Sequence, residues 1–488
     1  MTDYILVLDA GTTSTRAMLF DRKGALHHTS QREFEQHYPQ PGWVEHDAGE
    51  IWDETRACMG EAVDAAGGAD RIAAIGITNQ RETVVAWDRE TGEPLARAIV
   101  WQDRRTAEYC ATLKRRGEES AVSAKTGLLL DPYFSATKMH WLLKNDDAVA
   151  AACGEGRLAF GTIESWLVFK LSGAHVTDAS NASRTLLLGL DGAEWDDDLC
   201  TLFEVPREAL PAIVDNAGAL AESSAGLTGT PIAICGLAGD QQSATIGQAC
   251  LAPGETKATY GTGAFVLTNQ GTTVPTSTHR LLGTVLYQLG GRRHYALEGS
   301  VFVAGSLIQW LRDTLGLIGS AKETEDMARS VEDSGGVVVV PALSGLGAPH
   351  WDPDARGVIA GLSFASGRAQ IVRAALEAMA MQTRDLATAF AADGAEWETL
   401  RIDGGMAAND WIAQDLADIL QLPVERPGMV ETTALGAAML AAVGYGWFET
   451  LEAAASAMTG QRRRFDPVMK EARRERRIAA WDKALQAV

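Results

Sequence analysis

Two turns of one kind, each opening one half of the 488-residue chain, most constrain what it can fold into. Tyr4–Leu8 is apolar and β-rich, Asp9-Ala10-Gly11-Thr12-Thr13-Ser14 is turn chemistry, and Thr15–Phe20 resumes a strand. Thr256–Tyr260, Gly261-Thr262-Gly263 and Ala264–Thr268 repeat the pattern. Glycine lets the backbone approach an anion closely, and hydroxyls with exposed amides donate to phosphate oxygens. Asp9 at the strand's end can hold Mg²⁺ directly or through water, and Arg16 adds positive charge. Either turn alone also reads as a plain hairpin. The pair is more telling, because a nucleotide pinched between duplicated domains takes a phosphate loop from each. Asp403-Gly404-Gly405, before a helix that Asn409 can cap, would then supply the nucleoside end. No G-x-x-x-x-G-K-[ST] segment occurs, which excludes a P-loop kinase.

Between these landmarks, strands are expected at Arg71–Thr78, Thr83–Trp87, Gly336–Val340 and Thr399–Ile402. Helices are expected at Arg104–Arg115, from about Val301 to Leu315, and after Ser366, where Val372, Leu376, Met379 and Leu386 recur at helical spacing. Hairpins mixed with helices imply a mixed sheet covered by helices in each half. The boundary falls near residues 247–255, giving an N-terminal domain 1–250 and a C-terminal domain 251–488. The stretch Arg462–Arg477, rich in both charges, reads as a solvated helical face.

Composition narrows the partners. Hydrophobic residues are 46% and charged residues 22%, an ordinary globular balance, while the net charge of -21 repels nucleic acid and anionic lipid. Neither nucleic acid nor membrane is therefore an expected partner. The six cysteines contain no C-x-x-C pair, which suits a reducing compartment, and Tyr4–Leu8 lacks a basic flank, so no signal peptide is expected. The expected location is cytoplasmic.

Four long segments carry a family resemblance: Gln31–Gln36 leading to Pro41–Asp47, Gly76-Ile77-Thr78-Asn79-Gln80-Arg81-Glu82-Thr83, Asp131-Pro132-Tyr133-Phe134-Ser135, and Gly239-Asp240-Gln241-Gln242. With them the chain resembles, over nearly its whole length, the FGGY carbohydrate kinases, and within that family the branch acting on glycerol. The resemblance implies an α/β fold of two actin-like (ribonuclease H-like) ATPase domains around a nucleotide cleft, with ATP and Mg²⁺ as cofactors. It implies an acceptor site of Arg81, Glu82, Trp101, Tyr133, Asp240, Gln241 and Phe265, with Trp101 and Phe265 flanking the carbon chain. Asp240 would be the catalytic base, since phosphoryl transfer needs an aligned hydroxyl that loses its proton. A loop aspartate before a helix is also a common N-cap, and Asp240 can serve both ends. On the nucleotide side the resemblance names Thr12, Thr13, Ser14, Arg16, Thr262, Gly305, Gln309, Gly405 and Asn409, with Asp9 on the metal, and it implies a homodimer or homotetramer. Read from the residues alone, Gly305 and Gln309 would be helix packing and a solvent-facing glutamine.

The chain departs from the family in two places. Ala10 stands where many members acting on glycerol have glutamine. The loop Glu222–Thr230 contains no basic residue, whereas some relatives carry there an arginine that binds a sugar bisphosphate. Inhibition by fructose 1,6-bisphosphate is therefore not expected. No histidine lies between Leu210 and Pro231, so activation through a phosphorylated histidine near this loop is not expected either. Two other readings stay open at this point: a family member acting on another polyol or a ketose such as erythritol or xylulose, and an ATP-driven conformational protein of the actin or Hsp70 kind. The first would need room where Trp101 and Phe265 stand. The second would lack a base aimed at an organic acceptor.

Overall fold

The computed structural model describes residues 2–488, which build two lobes, each around one mixed sheet. The first sheet runs, edge to edge, Ala217–Glu222, Ala233–Gly239, Ile72–Asn79, Tyr4–Ala10, Ser14–Phe20 and Leu26–Glu33. The second runs Leu282–Leu289, Arg292–Val301, Ala264–Gly271, Thr256–Tyr260, Leu400–Asp403, Val424–Pro427 and Arg462–Phe465.

The two sheets share one plan. Tyr4–Ala10 pairs antiparallel with Ser14–Phe20 on one side and parallel with Ile72–Asn79 on the other, and Ile72–Asn79 pairs parallel with Ala233–Gly239. Thr256–Tyr260 does the same with Ala264–Gly271, Leu400–Asp403 and Val424–Pro427. These are two ribonuclease H-like domains of the actin-like fold. The duplication rests on backbone pairing, which many sequences satisfy, and so outlasts any sequence identity between the halves. Ile5–Ala10 and Ile72–Asn79 are buried at every position, because helices cover both faces of a sheet whose parallel strands need crossovers. The carboxyl ends of the central strands, at Ala10, Asn79, Gly239, Tyr260 and Asp403, face the cleft, where open α/β sheets bind ligands.

Crossover helices set the lobes against each other. Ala48–Ala66 starts at Asp47, whose carboxylate accepts from the Gly49 and Glu50 amides, and stops at Gly67 with φ 87°. Thr432–Tyr445 follows a strand of the second sheet yet is buried on nearly all sides. Its small residues let it lie directly on the first sheet: a Cβ on Gly76 would meet Ala437 O at 2.5 Å, and one on Gly236 would meet Ala441 N at 2.5 Å. It also crosses Asp240–Gly247 at near backbone contact, since a Cβ on Gly436 would lie 1.8 Å from Ser243 O.

The structure differs from the sequence reading in three places. Arg292–Val301 is a strand and the following helix starts only at Gly305, because the segment pairs with Ala264–Gly271 on one side and Leu282–Leu289 on the other and is buried from Tyr295 to Val301. Ser366 bonds back to Ser363, and Gly367 opens the helix Arg368–Ala392 with its amide on the Gln370 side chain. Arg462–Arg477 is a solvated helical face only in its second part, from Glu471 on. Arg462–Phe465 is the edge strand of the second sheet, and the helix Glu471–Leu485 buries Trp481 and pairs Arg477 with Asp415 at 2.5 and 2.8 Å. Its acidic partners lie far away in sequence, so charge spacing along the segment could not reveal them.

Candidate active site

The strand Ile72–Asn79 runs out into Gln80-Arg81-Glu82-Thr83, all buried. Gln80 ties this exit to the first turn, its amide donating to Ala10 O at 2.8 Å and its side chain to Gly11 O at 2.9 Å. Glu82 takes φ 60°, a left-handed conformation that costs a non-glycine residue energy and is held here by its surroundings. The Ser135 hydroxyl donates to Glu82 O at 3.1 Å, linking the strand end to the helix Ser135–Asn145 that follows Tyr133. On the adjoining strand Ala233–Gly239, the chain turns into the helix Asp240–Gly247 and delivers Asp240 and Gln241.

Between these ends and the second turn lies a cavity of about 180 Å³, lined by Arg81, Glu82, Trp101, Tyr133, Asp240, Gln241 and Phe265, with Thr12, Thr259 and Gly261–Gly263 at one side. All seven expected acceptor-site residues therefore meet at one place, beside both phosphate turns. Trp101 stands edge-on to Tyr133 and Phe265, with ring centroids 5.7 and 6.2 Å away, so the three rings wall the cavity. The Trp101 indole donates to Thr12 Oγ1 at 3.0 Å, which fixes that wall to the first turn. A wider space of about 530 Å³ opens beyond Trp101 and Phe265, toward Phe302, Trp351 and Arg356.

Electrostatics inside the cavity are strong. Asp240 Oδ1 accepts the Gln241 amide at 2.7 Å and lies 3.3 Å from Arg81 Nε. Its carboxyl is pushed up to about 6: burial raises it, against the lowering pull of Arg81 and Lys257 and with help from Glu82. Because 31% of the side chain still opens onto the cavity, solvent there moderates the rise. Lys257, buried with its ammonium on Gln241 Oε1 at 2.5 Å and Thr259 Oγ1 at 2.9 Å, is pulled down to about 8 by desolvation. Burial also raises the Tyr133 phenol, keeping it a neutral donor.

Behind the cavity runs a layer of charges that the sequence reading did not include. Glu298 forks onto Arg81, accepting from Nη1 at 2.6 Å and Nη2 at 3.0 Å. Arg184 donates Nε to Glu82 at 2.7 Å and Nη2 to Glu298 at 3.1 Å, and Gln242 accepts from Arg81 Nη1 at 3.2 Å. The available signal was a lone charge inside an otherwise uncharged stretch: Glu298 in Tyr295–Val301, Arg184 in Ala179–Leu190, and Lys257 in the strand Thr256–Tyr260.

Of the expected nucleotide residues, Thr12 and Thr262 line the cavity and the others do not. Gly11 N donates to Ser14 O at 2.9 Å, closing a turn on which Thr13 is exposed and Thr12 and Ser14 are half-buried. Arg16 bonds Asp9 at 2.5 Å and Glu431 of the other lobe at 2.6 Å, so its charge is shared between two carboxylates. In the second turn Gly305 N donates to Gly261 O at 2.8 Å and Ala304 N to Thr262 O at 2.9 Å. A Cβ on Gly305 would lie 2.5 Å from Gly261 O, so glycine alone lets the helix Gly305–Asp313 abut the turn. Gln309 is exposed one turn further along that helix. Gly405 is exposed at the start of a short 3₁₀ turn, packed by its neighbour Gly404 against Tyr260. Asn409 caps Asp410–Leu420 through the Trp411 and Ile412 amides and donates to Thr324.

Asp9, almost fully buried at its strand end, is one carboxylate at the first turn, and no cluster of three or more potential metal ligands occurs among the described residues. That donor set fits Mg²⁺, which takes one or two carboxylates and completes its shell with phosphate oxygens and water. Among the described residues no helix is long and apolar enough to cross a membrane.

Comparison with known proteins places the chain in a family. The N-terminal domain model of the FGGY family of carbohydrate kinases matches residues 4–247, and the C-terminal domain model matches residues 256–445. The chain is 53% identical to a glycerol kinase of Alcanivorax borkumensis, over 99% of this chain and 98% of that protein. It is 52% identical to a glycerol kinase of Rhodospirillum rubrum, over 99% of each. The crystal structure of Plasmodium falciparum glycerol kinase with ADP superposes with a TM-score of 0.93 at 37% identity, covering 100% of this chain and 98% of that one. The chain belongs to the FGGY family of carbohydrate kinases.

Proposed function

We propose that the protein transfers the γ-phosphoryl group of ATP to a terminal hydroxyl of glycerol, giving sn-glycerol 3-phosphate. The observation that carries this reading is the cavity of about 180 Å³ between the two phosphate turns, small, dense in donors and acceptors, and walled by aromatic rings. A triol with a thin apolar edge matches it: Arg81, Glu82, Tyr133, Asp240 and Gln241 engage the hydroxyls, while Trp101 and Phe265 cover the carbons. The relatives named glycerol kinase, at 52–53% identity over nearly the whole chain, support the same acceptor.

Transfer is direct and in line. Arg81, Glu82 and Gln241 orient the acceptor so that one terminal hydroxyl faces the phosphate turns, which converts a bimolecular encounter into a positioned one. Asp240 Oδ1 is engaged by the Gln241 amide and Arg81, which leaves Oδ2 to take the hydroxyl proton as the oxygen attacks. A carboxyl held near 6 is ionised at neutral pH and still basic enough to help. Thr12, Thr13, Ser14 and Thr262 hold phosphate oxygens, Arg16 sets Asp9, and Gly305, Gln309, Gly405 and Asn409 border the adenosine. Mg²⁺, held through Asp9 and the nucleotide, would neutralise phosphate charge. Closure of the lobes excludes water, which would otherwise compete for ATP.

We further infer domain limits of 1–250 and 251–488, between the helix Asp240–Gly247 and the strand Thr256–Tyr260, a cytoplasmic location, in keeping with six free cysteines, and a homodimer or homotetramer, measurable by light scattering. The activity is tested by following Mg·ATP and glycerol by ³¹P NMR. A new phosphomonoester that glycerol-3-phosphate dehydrogenase oxidises is the expected result. Inorganic phosphate as the sole product would refute the reading.

A further inference from the structure

Arg81 and Glu82 belong to the first lobe, but the first lobe alone does not hold them. Glu298 reaches them from the second lobe, where it lies fully buried on the strand Arg292–Val301. Both of its oxygens are used. Oε2 accepts Arg81 Nη1 at 2.6 Å, and Oε1 accepts Arg81 Nη2 at 3.0 Å, Arg184 Nη2 at 3.1 Å and the Ser300 hydroxyl at 3.1 Å. A bidentate carboxylate fixes the plane of a guanidinium as well as its position. With Nη1 and Nη2 committed to Glu298, the Nε edge of Arg81 is turned to Asp240 Oδ1 at 3.3 Å and to Glu82 Oε1 at 3.7 Å. The same carboxylate seats Arg184, whose Nε then holds Glu82 at 2.7 Å in its left-handed conformation.

We propose that Glu298 is a positioning residue for the glycerol phosphorylation proposed above: from the second lobe it aims Arg81 and Arg184, and through them Glu82 and Asp240, at the acceptor. The proposal rests on that activity and adds a residue to it. Two consequences follow from the geometry. The acceptor site is assembled across the lobes, since its arginine is oriented by a strand of the lobe that carries the second phosphate turn. The charge balance around the base also depends on Glu298. Asp240 is faced by Arg81 and Glu82 from the exit of the strand Ile72–Asn79 and by Lys257 from the strand Thr256–Tyr260, with Arg184 and Glu298 behind them. Without the Glu298 charge, Arg81 and Arg184 are opposed only by Glu82 and Asp240, so Arg81 acts on Asp240 more fully. The base then becomes more acidic and weaker. Glu298 itself stays ionised: burial alone would raise its carboxyl, but Arg184 and Arg81 hold it down to about 2.

The test is steady-state ADP release with glycerol by the wild type, Glu298→Gln and Glu298→Asp, from about pH 5 to about pH 9. Glu298→Gln should lower kcat/KM about 10²-fold, raise KM for glycerol, and move the acid limb of kcat to lower pH. Glu298→Asp keeps the charge, so it should leave the limb where the wild type has it and recover part of the loss. Wild-type kcat/KM in Glu298→Gln, or equal losses in both variants with an unmoved limb, would overturn the proposal, because a packing role gives the second pattern. Should Glu298→Gln not fold, Glu298→Asp decides. A raised glycerol KM beside a wild-type KM for ATP and an unmoved limb supports the proposal, whereas wild-type constants, or losses shared equally by glycerol and ATP, overturn it. Failure of the underlying activity is separate, since it shows in the wild type before any variant is compared. The same comparison would then be run on whichever acceptor the wild type uses.

Discussion

As the proposed base Asp240 would have to ionise, yet its surroundings raise its carboxyl from an ordinary 3.8 to about 6, burial being the largest cause. As the base, it makes kcat rise through about pH 6 and level off above it, which a pH–rate profile at saturating substrates checks. Asp240→Asn keeps the shape and loses the base, so kcat should fall by roughly 10²–10⁴-fold while the nucleotide still binds. The same shift has a stability consequence of opposite sign. The folded state favours protonated Asp240, so ionising it removes stability as pH rises from 3.8 through about 6. Asn carries no such penalty. The variant should therefore melt at or above the wild-type temperature near pH 7, with the difference closing below about pH 4. A variant clearly less stable than the wild type at pH 7 would contradict that electrostatic picture. Much of this site was legible through the family resemblance, whose motifs contain Arg81-Glu82, Tyr133 and Asp240-Gln241, and Arg81-Glu82 also stood out at the end of an apolar strand. Glu298 and Arg184 were not, because their partners are distant: Arg81 and Glu298 lie 217 positions apart. A lone charge in an uncharged stretch gives no hint of what it meets.

The helix Thr432–Tyr445 ties the lobes together at the level of elements. Its sequence, rich in alanine and glycine, allows backbone contact with Asp240–Gly247 and with the first sheet. Gly436→Ala places a methyl 1.8 Å from a backbone oxygen that cannot swing aside, so the helices must separate, at a cost of about 1–3 kcal/mol. Gly60→Ala is the control. It lies exposed in the helix Ala48–Ala66 with nothing within 4 Å of a new Cβ, and it should gain roughly 0.5–1 kcal/mol from helix propensity. Thermal unfolding of both variants should show opposite shifts, and a stabilised Gly436→Ala would mean that the helix pair is not packed as described. The hairpins at Tyr4–Phe20 and Thr256–Gly271 were readable because short-range alternation and turn residues define them. The helix expected from about Val301 starts only at Gly305, because Val301 still pairs with Ala264 in the second sheet, a tertiary contact that local spacing does not encode. The edge strand Arg462–Phe465 is mostly arginine and owes its form to pairing with Val424–Pro427, a tertiary contact.

The whole molecule carries a net charge of -21, and still holds a polyanionic substrate between its lobes. In the proposed mechanism the amides and hydroxyls of the two turns, rather than surplus lysines and arginines, meet the phosphates, and Mg²⁺ would offset part of the nucleotide's charge. The loop Glu222–Thr230 contains no basic residue, so turnover should be unchanged by millimolar fructose 1,6-bisphosphate, and a clear loss of activity in that assay would refute the expectation. The duplicated sheets, the glycine-mediated helix contact and the charge layer behind the cavity all serve one central claim: the cleft between the lobes phosphorylates glycerol. Coupled ADP release with Mg·ATP, measured against glycerol, erythritol, xylulose, ribulose and no acceptor, tests it most directly. The account predicts by far the highest kcat/KM with glycerol and little ADP without an acceptor. A larger polyol or ketose used best, or ADP released at one rate whatever is added, would contradict it.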